Sequence, residues 1–165
     1  MSDPSLLDDK LMCPECSGQV QLGDSSATCA GCNASFDMHD GVLMMLRVDP
    51  EERKGLETKT REAYEARYQD LQNAERYNAS YKKGFGKRWS TIREFKLLQR
   101  LLGEQPRSSL LLDLPCGGGR LTPALAPSSD AIIEADVALG QVLHSKQNPV
   151  ADTRQVWMTA SALSI

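Results

Sequence analysis

The sequence predicts an α/β protein with a partial Rossmann-like sheet of three strands and two helices, preceded by a cysteine-rich ribbon and a helical linker. Three observations lead to this fold class. Two C-x-x-C pairs stand near the N-terminus, the middle has helical character, and the last third alternates short apolar runs with helical segments. The predicted domains are a ribbon over residues 1–48, a linker over 49–103 and an incomplete sheet domain over 104–165.

Composition and length place the chain among globular proteins. It has 165 residues, of which 41% are hydrophobic and 25% are charged. No apolar run reaches the roughly 18 residues that a membrane span needs. The N-terminal segment lacks the basic and apolar regions of a secretory signal. We therefore expect a cytoplasmic protein with no membrane partner.

The first predicted element is a ribbon that holds a metal. Cys13 and Cys16 form one C-x-x-C pair, and Cys29 and Cys32 form a second pair. Each pair can place two thiolates on a tight turn, and four thiolates suit tetrahedral zinc in a closed structural site. Iron in a rubredoxin-like site is the alternative, whereas two disulfides would require an oxidising compartment. The metal would fold the ribbon, and we expect this head to fold independently.

Two hairpins complete the predicted ribbon. The segment between the cysteine pairs alternates at Val20 and Leu22 and then contains a Gly-Asp-Ser turn, which indicates a small hairpin. The dipeptide Asp40-Gly41 indicates a second hairpin turn.

The linker is predicted to contain two helices. Residues 51–78 have one apolar face and nearly balanced charges, which is typical of a solvated helix. A break follows at the glycine-containing stretch 80–89. A second helix is then expected, with capping-box spacing at Thr91 and Glu94 and a C-terminal end at Gly103.

Charge is segregated along the chain. Residues 1–50 carry eight acids against two bases, whereas residues 82–102 carry seven bases against one acid. The stretch Tyr81–Trp89 interleaves cations with aromatic residues, a pattern that can hold single-stranded nucleic acid. We therefore expect RNA, if it binds, to contact residues 82–100 and not the acidic ribbon. The alternative is an exposed, solvated stretch without a ligand.

The third predicted element is a strand followed by a glycine-rich loop. Leu110–Leu112 form an apolar run, and the sequence Asp-Leu-Pro-Cys-Gly-Gly-Gly follows. No lysine follows these glycines, which excludes a P-loop, and Thr122 occupies the third glycine position of a dinucleotide fingerprint. Asp113 would repel a pyrophosphate and suit a ligand with a cationic group. A bare strand-to-helix turn is the alternative, and Cys116 is expected to be a small buried side chain.

The stretch LLDLPCGGGRLTPAL resembles motif I of class I S-adenosylmethionine-dependent methyltransferases. Asp113 matches the acid of that motif, and Gly117 and Gly119 match two of its glycines. The stretch IIEADVALGQVL resembles the next motif, in which Asp136 ends the second strand. The resemblance implies S-adenosylmethionine as cofactor, with Asp136 accepting hydrogen bonds from the ribose hydroxyls.

The stretch MTASALSI resembles the third motif of that family, with Ser161 and Ala162 flanking the adenine. The family sheet has seven strands, whereas this chain is predicted to hold three of them, so we expect an incomplete domain. The strands that usually bring the catalytic residues are absent, and the catalytic residues are therefore unknown.

Two functions follow from these predictions. The first is a methyltransferase that acts on RNA or on a small molecule, inactive as this chain alone and binding its cofactor weakly. The second is a non-enzymatic zinc-ribbon adapter or methyltransferase-partner module. Because one edge of the first strand is expected to be unpaired, we expect the chain to aggregate or to require a partner protein that completes the sheet.

Overall fold

A computed structural model describes residues 4–7, 9–46 and 69–160. The N-terminal part contains a 3₁₀ helix and four strands: Pro4–Leu7, β1 (Val20–Leu22), β2 (Ser26–Cys29), β3 (Ser35–His39) and β4 (Val42–Met44). Two longer helices follow: α1 (Leu71–Lys83) and α2 (Phe85–Gly103). The C-terminal part contains five elements and a 3₁₀ turn at Ala126–Ser128: β5 (Leu111–Asp113), α3 (Thr122–Leu125), β6 (Ala131–Asp136), α4 (Leu139–Gln147) and β7 (Arg154–Thr159).

All seven of these strands belong to one mixed sheet with the order β1-β2-β3-β4-β7-β6-β5. Strands β1 to β4 pair in an antiparallel manner, whereas β4, β7, β6 and β5 pair in parallel. The link between the two parts is the pairing of Leu43 with Met158 and of Met44 with Thr159. The cysteine-rich segment therefore extends the parallel sheet and is not a detached ribbon.

The local geometry of the ribbon follows its sequence. The pair Asp40-Gly41 connects β3 and β4 with φ values of 47° and 70°, so both residues adopt the left-handed conformation of a two-residue hairpin turn. The strands β1 and β2 form the smaller hairpin that the alternating pattern predicts. Both hairpin predictions match the structure.

The parallel part has strands at the three places that the sequence predicts. β5 pairs with β6, and β6 pairs with β7, over registers that bring Asp113 beside Glu134 and Asp136 beside Thr159. The helix after the glycine loop is short, spanning only Thr122–Leu125, with Pro123 tolerated in its first turn. Helix α4 connects β6 to β7.

One face of the parallel strands is covered by the N-terminal segment. Ile133 and Ala135 of β6 pack in one apolar cluster with Val156 and Met158 of β7. The same cluster contains buried side chains from the ribbon: Leu7, Leu11, Cys13, Val20, Ala27, Cys29, Phe36, Leu43 and Met45. The ribbon and the sheet thus share a core. The apolar face of the ribbon is buried by β6 and β7, and the independent folding of the ribbon stays a prediction.

The opposite face is covered by α4. Val42 and Trp157 of the sheet pack with Val142 of the helix and with Cys116 of the glycine loop. Cys116 is buried there, as the sequence predicts, and burial raises the pKa of its thiol.

Helix α2 differs from its prediction at its N-terminus. It begins at Phe85 after a single non-helical residue, Gly84, so most of the predicted break is helical. Thr91 lies inside this helix, where its hydroxyl donates to the Lys87 carbonyl oxygen at 3.0 Å. The prediction that Thr91 and Glu94 form a capping box at the start of the helix is therefore wrong. No residue of α2 is buried, although Leu98 and others pack against the β6 side of the core. The first part of the other predicted helix, residues 51–68, lies outside the described residues.

Strand β5 lies at an end of the sheet and pairs with β6 alone among the described strands. Leu112 on this strand is 44% exposed. Within the described parts of the chain, no helix combines the length and apolar character that a membrane span requires.

Candidate metal centre and glycine loop

The two C-x-x-C pairs meet at one point. The four Sγ atoms of Cys13, Cys16, Cys29 and Cys32 all lie within 4.8 Å of one another. The distance is 3.7 Å from Cys13 to Cys32 and 3.4 Å from Cys16 to Cys29. A tetrahedron with Zn–S bonds of about 2.3 Å has edges of about 3.8 Å. The four-cysteine group therefore fits the size and donor chemistry of a zinc site.

Backbone amides support the sulfur atoms in a repeated pattern. The N–H groups of Glu15, Gly18 and Gly31 donate to the sulfur two residues earlier, at 3.4, 3.4 and 3.3 Å. The backbone N–H of Cys32, and less strongly that of Gly31, lowers the pKa of Cys29 to about 6. These donors stabilise thiolates, which are the metal-binding form of cysteine.

The cluster lies at the boundary between core and solvent. Cys13 and Cys29 are buried, whereas Cys16 and Cys32 are exposed. All four positions are taken by protein thiolates, so the group resembles a closed structural site and not a catalytic one. Because Cys13 and Cys29 belong to the shared core, a metal bound here would also organise the contact with the sheet.

The glycine loop is bound to the end of the neighbouring strand. The N–H of Gly117 donates to one carboxylate oxygen of Asp136 at 2.9 Å, and the N–H of Ala138 donates to the other at 3.0 Å. Gly117 and Gly119 have φ values of 54° and 74°, in the left-handed region that favours glycine. The structure thus brings together the two sequence motifs at the carboxyl ends of β5 and β6.

Gly118, which sequence reasoning did not single out, is packed most tightly. A Cβ atom at this position would lie 2.6 Å from Cγ of Asn78, a buried side chain of α1. Asn78 donates to the Ala74 carbonyl oxygen and to the Gln141 side chain, each at 2.9 Å. Nδ1 of His144, on α4, lies 3.0 Å from the Gly118 carbonyl oxygen. The loop is therefore held between α1 and α4.

The Gly118 contact gives a test of this packing. We expect Gly118→Ala to destabilise the fold by about 1–3 kcal/mol, because the new methyl group overlaps the fixed Asn78 side chain. Urea unfolding would measure the loss of stability. The loss caused by Gly118→Ala should be smaller when Asn78 is also replaced by alanine, because the two side chains would no longer overlap. Gly86→Ala is the control, since no atom lies within 4 Å of its Cβ position and alanine favours helix there. Equal losses at both glycines would contradict this packing.

Glu134 is a second group that the sequence did not single out. It lies fully buried in β6, and its carboxylate accepts hydrogen bonds from the Ser145 hydroxyl, the Gln155 amide and the Trp157 indole. The Gln155 and Trp157 bonds measure 2.7 and 3.0 Å. No cationic side chain pairs with it among the described residues. The sequence signal that could have identified Glu134 is its position as an acid within an otherwise apolar strand.

Asp113 is held in an unfavourable environment. Burial, together with the nearby carboxylates of Glu134 and Asp136, raises the pKa of its carboxyl group to about 6. Ionising this carboxyl group costs free energy in the folded state. Such a group at the end of a parallel strand, beside a glycine loop, is characteristic of a functional site. A cationic ligand would relieve the repulsion.

Asp113 also makes stability depend on pH. Between pH 4 and 6 the folded chain retains a proton that the unfolded chain has lost, so the cost of this carboxylate grows as pH rises. We expect Asp113→Asn to stabilise the protein by about 1–2 kcal/mol at pH 7, with the gain vanishing near pH 4. Urea unfolding of the wild type and of Asp113→Asn at pH 7 and at pH 4 would measure this gain in stability. Asp152→Asn, on an exposed turn with φ 59°, is the control. A gain that is the same at both pH values would contradict the assignment.

A cleft of about 470 Å³ opens on the helix side of the loop. Gly118 and Gly119 form one wall, and Lys82, Arg88 and Arg120 bring positive charge from the helices and the loop end. Arg120 also forms a 2.7 Å ion pair with Glu94 and lies over the Tyr81 ring. The loop thus has an acidic flank at the strand ends and a basic flank at the cleft.

The structure places the predicted cofactor residues as follows. Asp113, Gly117 and Asp136 lie together at the strand ends, and Gly119 lines the cleft beside them. Ser161 and Ala162 lie outside the described residues. The chain matches no protein-family model, and a search of curated proteins finds no match either.

Proposed function

We propose that this chain binds S-adenosylmethionine at its glycine loop and forms the cofactor-binding part of a methyltransferase. The observation that carries the proposal is the 2.9 Å hydrogen bond from the Gly117 N–H to Asp136. It joins the glycine loop after β5 to the acid that ends β6, at the edge where parallel α/β sheets bind their ligands. The parallel order β7-β6-β5 supports a Rossmann-like arrangement.

Charge around the loop favours this cofactor over a nucleotide phosphate. S-adenosylmethionine carries a cationic sulfonium and ammonium group and an anionic carboxylate. The acidic flank of Asp113 and Asp136 suits the cations, and the basic flank of Lys82 and Arg88 in the cleft suits the carboxylate. A pyrophosphate would be repelled by the two acids. The bound cofactor would supply an electrophilic methyl group to an acceptor, either RNA or a small molecule.

This chain's own residues would hold the cofactor in separate ways. The left-handed Gly117 and Gly119 leave the backbone free of side chains at the point of approach. Asp136 has used one lone pair on each oxygen for a backbone N–H, and the remaining lone pairs can accept the ribose hydroxyls. Asp113 would interact with the ammonium group directly or through water.

The ribbon supplies a structural role in this proposal. One zinc ion at the four cysteines would fix β1 to β4, which in turn cover one face of the cofactor-binding sheet. The four thiolates leave no open position for a substrate. Zinc would therefore support the site from a distance and take no part in methyl transfer.

The experiment is a titration followed by the amide NMR signals of the isotope-labelled chain. We expect S-adenosylmethionine at millimolar concentration to shift the Gly117 and Gly119 amides, because NMR detects even weak binding. Asp113→Asn should weaken binding about tenfold or more while leaving the loop contact to Asp136 in place. Lowering the pH through 6 should weaken wild-type binding in the same way, as Asp113 becomes protonated. Asp152→Asn is the matched control.

Two outcomes would reject the cofactor. One is the absence of any shift at these amides, and the other is an equal response to ATP, which carries phosphates and no cationic sulfonium. The second candidate function, a zinc-ribbon adapter, predicts that first outcome. It is favoured by the edge of β5 that no described strand pairs with, where Leu112 is exposed and a strand from a partner protein could complete the sheet.

A further inference from the structure

The corner between α1 and α2 presents two large aromatic side chains to solvent. Phe85 is 88% exposed and Trp89 is 57% exposed. They are four residues apart on α2, so they lie on the same side of the helix, one turn from each other. Nothing among the described residues covers them.

Cations surround these aromatic rings. Arg93 and Lys96 follow Trp89 by four and seven residues and therefore lie on the same face of α2. A groove of about 650 Å³ along this helix is lined by Trp89, Arg93 and Lys96, and also by the acid Glu94. The single acid of the segment, Glu94, is paired with Arg120 at 2.7 Å, so the cations of the groove are not neutralised by it.

Side-chain contacts join the two helices at this corner, which lies next to the glycine loop. Nζ of Lys87 donates to the Ser80 hydroxyl at 2.8 Å and lies over the Tyr81 ring, which ties α2 to α1. Arg120 ties α2 to the end of the glycine loop through Thr91 and Glu94. Lys82 and Arg88 are exposed at this corner and extend the positive surface into the cleft beside the loop.

We infer that this surface binds single-stranded nucleic acid, with bases stacked on Phe85 and Trp89 and phosphates on the surrounding cations. Aromatic rings interleaved with cations along a positive groove are the arrangement that grips a single strand without reading its sequence. An anionic membrane would require a continuous apolar face, whereas Arg93 and Lys96 interrupt this one. A duplex would hide its bases from the two rings.

The test is fluorescence anisotropy of labelled twelve-nucleotide uridine and thymidine strands with the full chain, without added S-adenosylmethionine. We expect the Phe85→Ala/Trp89→Ala variant to bind about tenfold or more weakly, because each stacked base is lost. Leu101→Ala, also exposed on α2 but away from the aromatic pair, should bind like the wild type. All three side chains are solvent-exposed, so circular dichroism should show the same fold in each variant.

The salt dependence gives a second measurement. Replacing Lys82 and Arg88 with glutamine should reduce the slope of log affinity against log salt by about 0.7 for each lost phosphate contact. Comparing the uridine and thymidine strands separates an RNA ligand from a DNA ligand. Unchanged binding in the aromatic variant, equal affinity for a duplex, or binding only to phosphatidylserine vesicles would overturn the inference. Failure of cofactor binding would leave these results unaffected, since no cofactor is added.

Discussion

Cys29→Ser is expected to abolish zinc binding at the four cysteines and to destabilise the whole described fold by about 5 kcal/mol or more. Binding of structural zinc contributes on the order of 10 kcal/mol in small ribbons, which is comparable with the total stability of a domain. Cys29 is fully buried, and its sulfur lies in the core that the ribbon shares with β6 and β7. The damage should therefore reach the parallel sheet.

Two measurements would check this result together. Elemental analysis should find about one zinc per chain in the wild type and none in Cys29→Ser. Trp157, which is buried in β7, reports whether the sheet unfolds with the ribbon during urea denaturation. Cys116→Ser is the matched control, because Cys116 lies outside the cluster and should retain the metal. A folded variant with wild-type zinc content would contradict the metal assignment, and an undisturbed Trp157 would contradict the shared core.

Glu134→Ala is expected to lower the free energy of unfolding by about 3–5 kcal/mol. The substitution leaves three buried donors, on Ser145, Gln155 and Trp157, without their acceptor, and each costs about 1–3 kcal/mol when unsatisfied. It also opens a cavity beneath α4, which adds to the loss. The carboxylate is thus an acceptor that organises the helix-covered face of the sheet.

Urea unfolding followed by circular dichroism would measure the Glu134 effect. Glu104→Ala is the control, because Glu104 is exposed and forms only a 4.0 Å pair with Arg100, so its loss should cost less than about 0.5 kcal/mol. Glu134→Gln should fall between the two, since it keeps one acceptor oxygen but places an amide N–H₂ among donors. A loss below about 1 kcal/mol for Glu134→Ala would show that the three donors find other partners.

Features governed by local chemistry could be predicted from the sequence. The C-x-x-C spacing was sufficient to predict that four sulfur atoms lie close together. The pair Asp40-Gly41 forms the hairpin turn that its conformational preference predicts. The three parallel strands follow from their apolar runs. The proximity of Asp136 to the glycine loop followed from placing both at the carboxyl ends of adjacent strands.

Features governed by distant contacts could not be predicted. Nothing in Val42–Met44 specifies β7 as its parallel neighbour, because strand pairing is decided by burial across the whole sheet. Gly118 owes its importance to Asn78, which lies on a separate helix. Gly84 and Gly86 indicated a long break before α2, yet only Gly84 is non-helical, because Gly86 lies in an exposed helical turn where its cost is small.

The pairing of β4 with β7 has a consequence for the order of events during synthesis. Met44 and Thr159 are 115 positions apart, so the ribbon leaves the ribosome long before its neighbouring strand exists. At about 5–20 residues per second, this interval lasts roughly 6–23 s. During that time Phe36 and Leu43 lack the β6 and β7 side chains that bury them. Early zinc binding would hold the hairpins together while these apolar surfaces remain exposed. The pairing of β4 with β7, which closes this long loop, would be the slow step in folding.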